Sequence, residues 1–306
     1  MSRSVKDFII IGLKGMAMGA ADVIPGVSGG TIAFISGIYE ELISSISNVK
    51  LSLLKTLKTQ GFKVAWKQLN GDFLLALFLG VVVSIVSFAK LIAWLLENEP
   101  IPLWSFFFGL VLASVVYIGK QIEKWNLISI LFIILGLIFG YIITIIPSVS
   151  SQDSHLLFLF FAGAIASCAM ILPGISGSYI LLLMGAYATV IAALTEKNLT
   201  IIAVVGAGVV VGLLSFSKIL KWLFSRFHNQ MLAVLIGIML GSINKIWPWK
   251  VTISTYIDRH GEMKPLLEKS VLPGSYEGDP QLLFAILLTI IGFGLILLLE
   301  KFAVKK

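Results

Sequence analysis

The chain has 306 residues, 58% of them hydrophobic and 13% charged, with a mean hydropathy of +1.00. A soluble globular chain carries about 25% charged residues, so a water-soluble domain is excluded, and so is a disordered chain, which would be poor in apolar residues. The formal net charge of +7 then becomes a question of placement across a membrane and not a sign of a nucleic-acid partner.

A transmembrane helix needs about 20 mostly apolar residues. Ten apolar segments are predicted, at 8–21, 31–47, 73–96, 103–119, 127–146, 156–172, 178–195, 199–217, 230–246 and 281–300. The first follows a short polar start, Met1 to Lys6, with no small-residue cleavage site behind it, and reads as a retained span. All seven tryptophans fall at or near segment ends or in the adjoining loops, where indole rings favour the membrane interface. The loop 48–72 carries Lys50, Lys55, Lys58, Lys63 and Lys67 but no acid before Asp72, interleaved with Leu51, Leu54, Leu57, Phe62 and Trp66. It reads as an amphipathic helix lying on anionic lipid.

Basic residues orient the segments. With a cytoplasmic N-terminus and a hairpin of 8–21 and 31–47 returning to the same side, 16 basic residues fall inside. They are Arg3, Lys6 and Lys14, the five of loop 48–72, Lys120 and Lys124, Lys218, Lys221 and Arg226, and Lys301, Lys305 and Lys306. Lys197, Lys245, Lys250, Arg259, Lys264 and Lys269 fall outside, and Lys90 lies within a span. The segments rest on hydropathy alone, so this positive-inside split is independent support for a multi-pass protein of a bacterial cytoplasmic (inner) membrane with both termini cytoplasmic.

Two stretches repeat. Ile24-Pro25-Gly26-Val27-Ser28-Gly29-Gly30-Thr31-Ile32, followed by Gly37 and Tyr39, returns as Leu172-Pro173-Gly174-Ile175-Ser176-Gly177-Ser178-Tyr179-Ile180, followed by Gly185 and Tyr187. Phe108 to Ser114 likewise resembles Ile236 to Ser242. Each half is a hairpin plus three spans, an odd number of net crossings, so the second half starts on the opposite side of the membrane. The expected fold is therefore an all-α integral membrane protein with an inverted-topology repeat, the layout of many secondary transporters. Its halves are 1–147, with the cytoplasmic basic loop 48–72, and 148–306, with the extracytoplasmic loop 247–280. Each half is a re-entrant or broken helical hairpin plus three transmembrane helices, because Pro and Gly break helices and broken backbone at membrane depth must be buried or line a cavity.

The two turns carry the expected chemistry. Ser28 and Ser176 are placed to cap the helices that follow them. The first N–H groups of those helices belong to Gly29, Gly30 and Thr31, and to Gly177, Ser178 and Tyr179. Helix N-termini present unpaired donors and partial positive charge, and glycine allows a ligand close to the backbone. Two such tips meeting from opposite sides make an anion site, most naturally for phosphate. Asp22, just before the first turn, is a carboxylate at membrane depth: either a coupling or pairing group or a structural acceptor for loop N–H groups. The second half has Met170 at this position. Lys14, Lys90 and Lys245 are candidate headgroup or Asp22 partners, with outward snorkelling or interface anchoring as the alternative.

Gly15 to Thr31 with Gly37-Ile38-Tyr39, together with Met170 to Ser178 and Gly241-Ser242 to Trp247-Pro248-Trp249, resembles the undecaprenyl (polyprenyl) phosphate transporters of the PopT type, formerly a domain of unknown function. The resemblance spans nearly the whole chain. It implies a flippase that returns the lipid-carrier phosphate from the outer to the cytoplasmic leaflet for cell-wall synthesis, with polyprenyl phosphate and the bilayer as partners. Proton or ion coupling is left open, and no cofactor or metal is implied.

Two other functions compete. The helix tips suit a channel or secondary transporter for a small anion equally well. Gly26-Val27-Ser28-Gly29-Gly30 also fits the Gly-x-Ser-x-Gly of serine hydrolases, but a serine nucleophile needs a base nearby, and His155, His228 and His260 fall at or beyond the membrane edges. The single cysteine, Cys168, excludes an intrachain disulfide and a cysteine metal cluster.

Overall fold

The computed structural model describes residues 3–23, 28–146, 155–257 and 263–303. Ser4 opens the first helix, α1 (Val5–Asp22), through a capping box with Asp7. Two short helices follow, α2 (Gly29–Ile35) and α3 (Tyr39–Ser47). The loop 48–72 forms α4 (Leu51–Gln60) and α5 (Phe62–Leu69), and then come α6 (Gly71–Asn98), α7 (Pro100–Gly119) and α8 (Leu127–Ile145). The second half runs α9 (Leu156–Ile171), α10 (Gly177–Leu183), α11 (Tyr187–Thr195), α12 (Leu199–Arg226), α13 (His228–Ile246), a β-hairpin and α14 (Leu282–Ala303).

Among the described residues α6, α7, α8, α12 and α13 are long and apolar enough to cross a membrane, and the bent pair α10–α11 makes a sixth candidate. Large apolar side chains cover the outside, among them Phe78 and Val86 on α6, Leu127 and Phe139 on α8, and Phe284 and Ile290 on α14. A surface of that kind is stable against hydrocarbon and not against water. The protein is a multi-pass membrane protein, and among the described residues its only strands form one hairpin.

The fold is nearly all helical, as expected of an all-α membrane protein, and the hairpin is the one addition among the described residues. The loop 247–280 contains antiparallel strands β1 (Lys250–Ile257) and β2 (Met263–Ser270), with Lys250 opposite Ser270 and a register shift around Ser254. The run Val251-Thr252-Ile253 with Thr255 is rich in β-branched residues, which suit a strand. A correction concerns segments 31–47 and 178–195, each expected as one helical arm. Each is two helices, and α10 and α11 are bent by 112°. The cause is the same in both. Gly37 and Gly185 take positive φ (+71° and +74°). The next residue donates back five positions, Ile38 N–H to Ala33 and Ala186 N–H to Leu181. This is a Schellman end, which glycine makes at least cost. Loop 48–72 is likewise two helices and not one, parted at Gly61 (φ +83°). Leu54, Leu57 and Phe62 on it are exposed.

Four helix pairs carry the packing. α1 runs along α6 as α9 runs along α12, and α8 runs along α13 as α14 runs along α7. Glycines bring the backbones together at each seam. Gly15 faces the Leu77 carbonyl and Gly163 that of Val205, while Gly136 faces Val234 and Gly292 faces Phe106. A methyl group at any of these would enter the opposing backbone, so here glycine stands for close helix contact. The inner faces of α7 and α13, with Ala113, Ile118, Leu232, Leu235 and Met239 fully buried, form the centre.

Candidate functional site

The two turns meet at that centre. The hydroxyl of Ser28 donates to the Met170 carbonyl at 3.0 Å, and the Gly174 N–H donates to the Thr31 hydroxyl oxygen at 3.0 Å. Residues 142 and 143 positions apart are thereby tied directly. Ile24 to Val27 lie outside the described residues, so the first turn is seen from Ser28 onward.

The first tip is closed. Ser28 is extended (φ −121°, ψ 133°) and caps α2 as expected, its oxygen accepting the Gly30 N–H at 3.1 Å. Asp22 accepts the Gly29 N–H at 2.6 Å, and Thr31 N–H goes to the Ser28 carbonyl at 2.9 Å. Every donor expected to meet an anion here is already taken, one of them by the protein's own carboxylate. Asp22 is therefore a structural acceptor in this conformation. Ser28 and Thr31 are 1% and 2% exposed. A Cβ on Gly30 would lie 2.5 Å from the Ile171 carbonyl oxygen, and one on Gly29 would lie 2.5 Å from the Asp22 carboxylate. These glycines serve contact with the protein itself, where the sequence suggested room for a ligand.

The second tip differs. Ser176 precedes α10 without capping it; its hydroxyl pairs with that of Ser178 at 2.8 Å. The N–H groups of Gly177, Ser178 and Tyr179 meet no acceptor among the described residues. Ser178 is exposed. Tyr179 donates to the carbonyls of Ile143 and Thr144 at the end of α8, at 3.2 and 3.3 Å. Its ring lies 4.5 Å from the Lys245 ammonium, a cation–π contact. A small cleft joins Thr144, Gly174, Ser176, Tyr179, Ser242 and Lys245. Lys245 is thus brought to the second tip.

The other lysines stand apart from it. Lys14 donates to the Ser36 carbonyl at 2.5 Å, supporting the end of α2. Lys90 is exposed on α6, as outward snorkelling requires. A second cleft, of about 480 Å³, opens beside the α2–α3 break between Phe34, Tyr39 and Glu40 and the end of α7 with Tyr117, Lys120 and Gln121.

Three residues near the second tip were not singled out from the sequence: Lys250, Glu268 and Trp104. The Lys250 ammonium sits 3.9 Å from the Trp104 ring centre and 3.9 Å from Glu268. Burial pushes it down to about 8, with Glu268 acting against the shift. Trp247 and Trp249 pack edge to face and donate to the Val271 and Pro280 carbonyls. The tryptophans were legible as interface residues, but these bonds depend on how loop 247–280 folds.

The Ser28 proton goes to the Met170 carbonyl and not to a histidine. His228 instead lies 3.7 Å from Glu40, and His260 is outside the described residues. Among the described residues no group of His, Cys, Asp and Glu is arranged to hold a metal ion.

The sequence pattern of a family described as undecaprenyl phosphate translocase-like matches residues 18–264. A polyprenyl-phosphate transporter of Vibrio cholerae is 48% identical over 309 aligned residues, covering the whole of both chains. One of Staphylococcus aureus is 32% identical over 270 residues, covering 80% of this chain and 91% of its own. No solved structure matches.

Proposed function

The chain belongs to the undecaprenyl phosphate translocase-like family, and from that premise we propose that it carries undecaprenyl or another polyprenyl phosphate from the outer to the cytoplasmic leaflet. The lipid carrier is thereby recycled for cell-wall synthesis. The family is one of transporters, not of enzymes. Such a cargo has one anionic head and a long apolar tail. Only the head needs a polar path, and the tail stays in lipid.

In this reading the halves 1–147 and 148–306 are inverted repeats in a bacterial cytoplasmic membrane, with both termini inside. The exchanged pairing of α7 with α14 and α8 with α13, the parallel between α1–α6 and α9–α12, and the two matching Schellman ends support that relation. The headgroup is received where the turns meet, by Ser28, Gly29, Gly30 and Thr31 from one side and Ser176, Gly177, Ser178 and Tyr179 from the other. Lys245 supplies charge at the open tip. Rocking of the halves exposes each tip in turn. Asp22 holds the headgroup's place at the first tip while it is shut, and it is the group through which a proton couples to movement.

The observation that carries this reading is the direct bonding of the two turns to each other, one with its donors occupied and the other with its donors unmet. Proteoliposomes test it. Purified protein is expected to move short-chain polyprenyl phosphate between leaflets and not inorganic phosphate. Movement of inorganic phosphate alone would instead establish a small-anion transporter.

A further inference from the structure

Lys245 and Lys250 come from different elements, the end of α13 and the start of β1, yet converge on one carboxylate. Glu268 lies 3.9 Å from Lys250, and its charge reaches Lys245 as well. A charge-assisted N–H···O bond is about 2.7–2.9 Å long, so the Lys250–Glu268 pair is too long to be one. Neither ammonium has a hydrogen-bond acceptor among the described residues. Each instead lies over an aromatic ring, Lys245 over Tyr179 and Lys250 over Trp104. The Lys250 side chain is only 9% exposed. The cluster thus holds two cations against one anion in a largely desolvated place. Such an excess is costly unless a further anion completes it.

Resting on the transport reading above, we infer that Lys245 and Lys250 form an outer receiving site for a phosphate headgroup, in which Glu268 is the internal counter-ion that the headgroup displaces. The site adjoins the second tip through Tyr179, whose ring supports Lys245 and whose backbone lies in the first turn of α10. The β-hairpin is then part of the binding machinery, since β1 supplies one cation and β2 the carboxylate. Trp104 of α7 fixes Lys250 from the other side, as an aromatic face holds an ammonium without neutralising it. The recognised chemistry is a phosphate monoester or free phosphate, and the choice between them belongs to the experiment.

The full-length protein in lipid nanodiscs is titrated with short-chain polyprenyl phosphate, with the neutral polyprenol of the same length, and with inorganic phosphate. Lys250→Gln and Lys245→Gln are each expected to weaken polyprenyl phosphate binding by roughly tenfold or more, the loss of a hydrogen bond to a charged group. Lys250→Arg should retain most of it, Glu268→Gln should strengthen it, and polyprenol should respond to none of the changes. If Lys250→Gln fails to fold, Lys245→Gln and Glu268→Gln decide the matter. Wild-type affinity in the lysine variants, with transport intact, overturns the inference and leaves the transport reading standing. Lysine-dependent binding of inorganic phosphate without binding of the lipid upholds the anion site and overturns the lipid reading. Binding of neither anion by the wild type overturns both.

Discussion

The two turns share a sequence pattern and differ in state. At the first, Asp22, Ser28 and the Ser28 carbonyl take the N–H groups of Gly29, Gly30 and Thr31, and the side chains are buried. At the second, Met170 stands where Asp22 would, Ser178 where Gly30 would and Tyr179 where Thr31 would. The donors there are unmet, and lysine replaces the carboxylate as the nearest charge. A repeated motif therefore places two similar helix starts, and the residues flanking it set whether the first N–H groups are met by the protein or left unmet. The local charge follows the same division, negative at the closed tip and positive at the open one.

Exchanging residues between the turns should show the largest difference. Gly30→Ser imports the second turn's residue into contact with the Ile171 carbonyl and is expected to cost about 1–3 kcal/mol through overpacking. The reverse change, Ser178→Gly at an exposed position, should cost at most about 1 kcal/mol. Denaturant unfolding in detergent compares them, and equal losses would break the contrast. Next in size, Thr31→Val leaves the Gly174 N–H without its acceptor and should cost about 1–3 kcal/mol. Tyr179→Phe at the matching position frees two helix-end carbonyls and should cost about 0.5–1.5 kcal/mol.

Smaller structural effects with a functional readout follow. Asp22→Asn keeps an oxygen for the Gly29 N–H, so stability should change by no more than about 1 kcal/mol. The variant has lost its titratable proton, and its transport is expected to persist without responding to an imposed pH gradient. Transport that still follows the gradient would remove Asp22 from coupling. At the open tip, Lys250 is charged below about 8 and neutral above it. The charged groups around it are Glu268 from β2 and Lys245 from α13. Capture of polyprenyl phosphate should therefore weaken severalfold as the external pH rises through that value. The Lys250→Gln variant should show no such step.

Much of this was readable from residues. Each of the ten apolar segments lies on helix, 31–47 and 178–195 on two helices each, and most ends shift by a few residues, though α12 runs on to Arg226 past the expected end at 217. Ser28 was legible as a cap, since a hydroxyl after a Pro-Gly turn has a short reach to the next N–H groups. The second break in each hairpin was half-written in Gly37 and Gly185, but a lone glycine in an apolar run fits a packed helix as well as a Schellman end. The hairpin of loop 247–280 carried a β-branched signal that a search for apolar spans passes over. Other contacts left no local trace. Lys14 reaches Ser36 across 22 positions, whereas Asp22 as an acceptor for a loop N–H was one of the two readings its position allowed. Lys250, just past the end of α13, meets Trp104 because α13 packs along α7.

The sequence by itself determined the membrane environment and the place and rough extent of the apolar helical segments. Those depend on transfer free energy and local backbone chemistry, both of which are written within about 20 residues. Only the tertiary structure decided which turn is open, which glycines serve helix contact, and which lysines gather at the open tip. Those depend on contacts outside the repeated pattern, and the same Pro-Gly-x-Ser-Gly ends in opposite states when the residues around it differ.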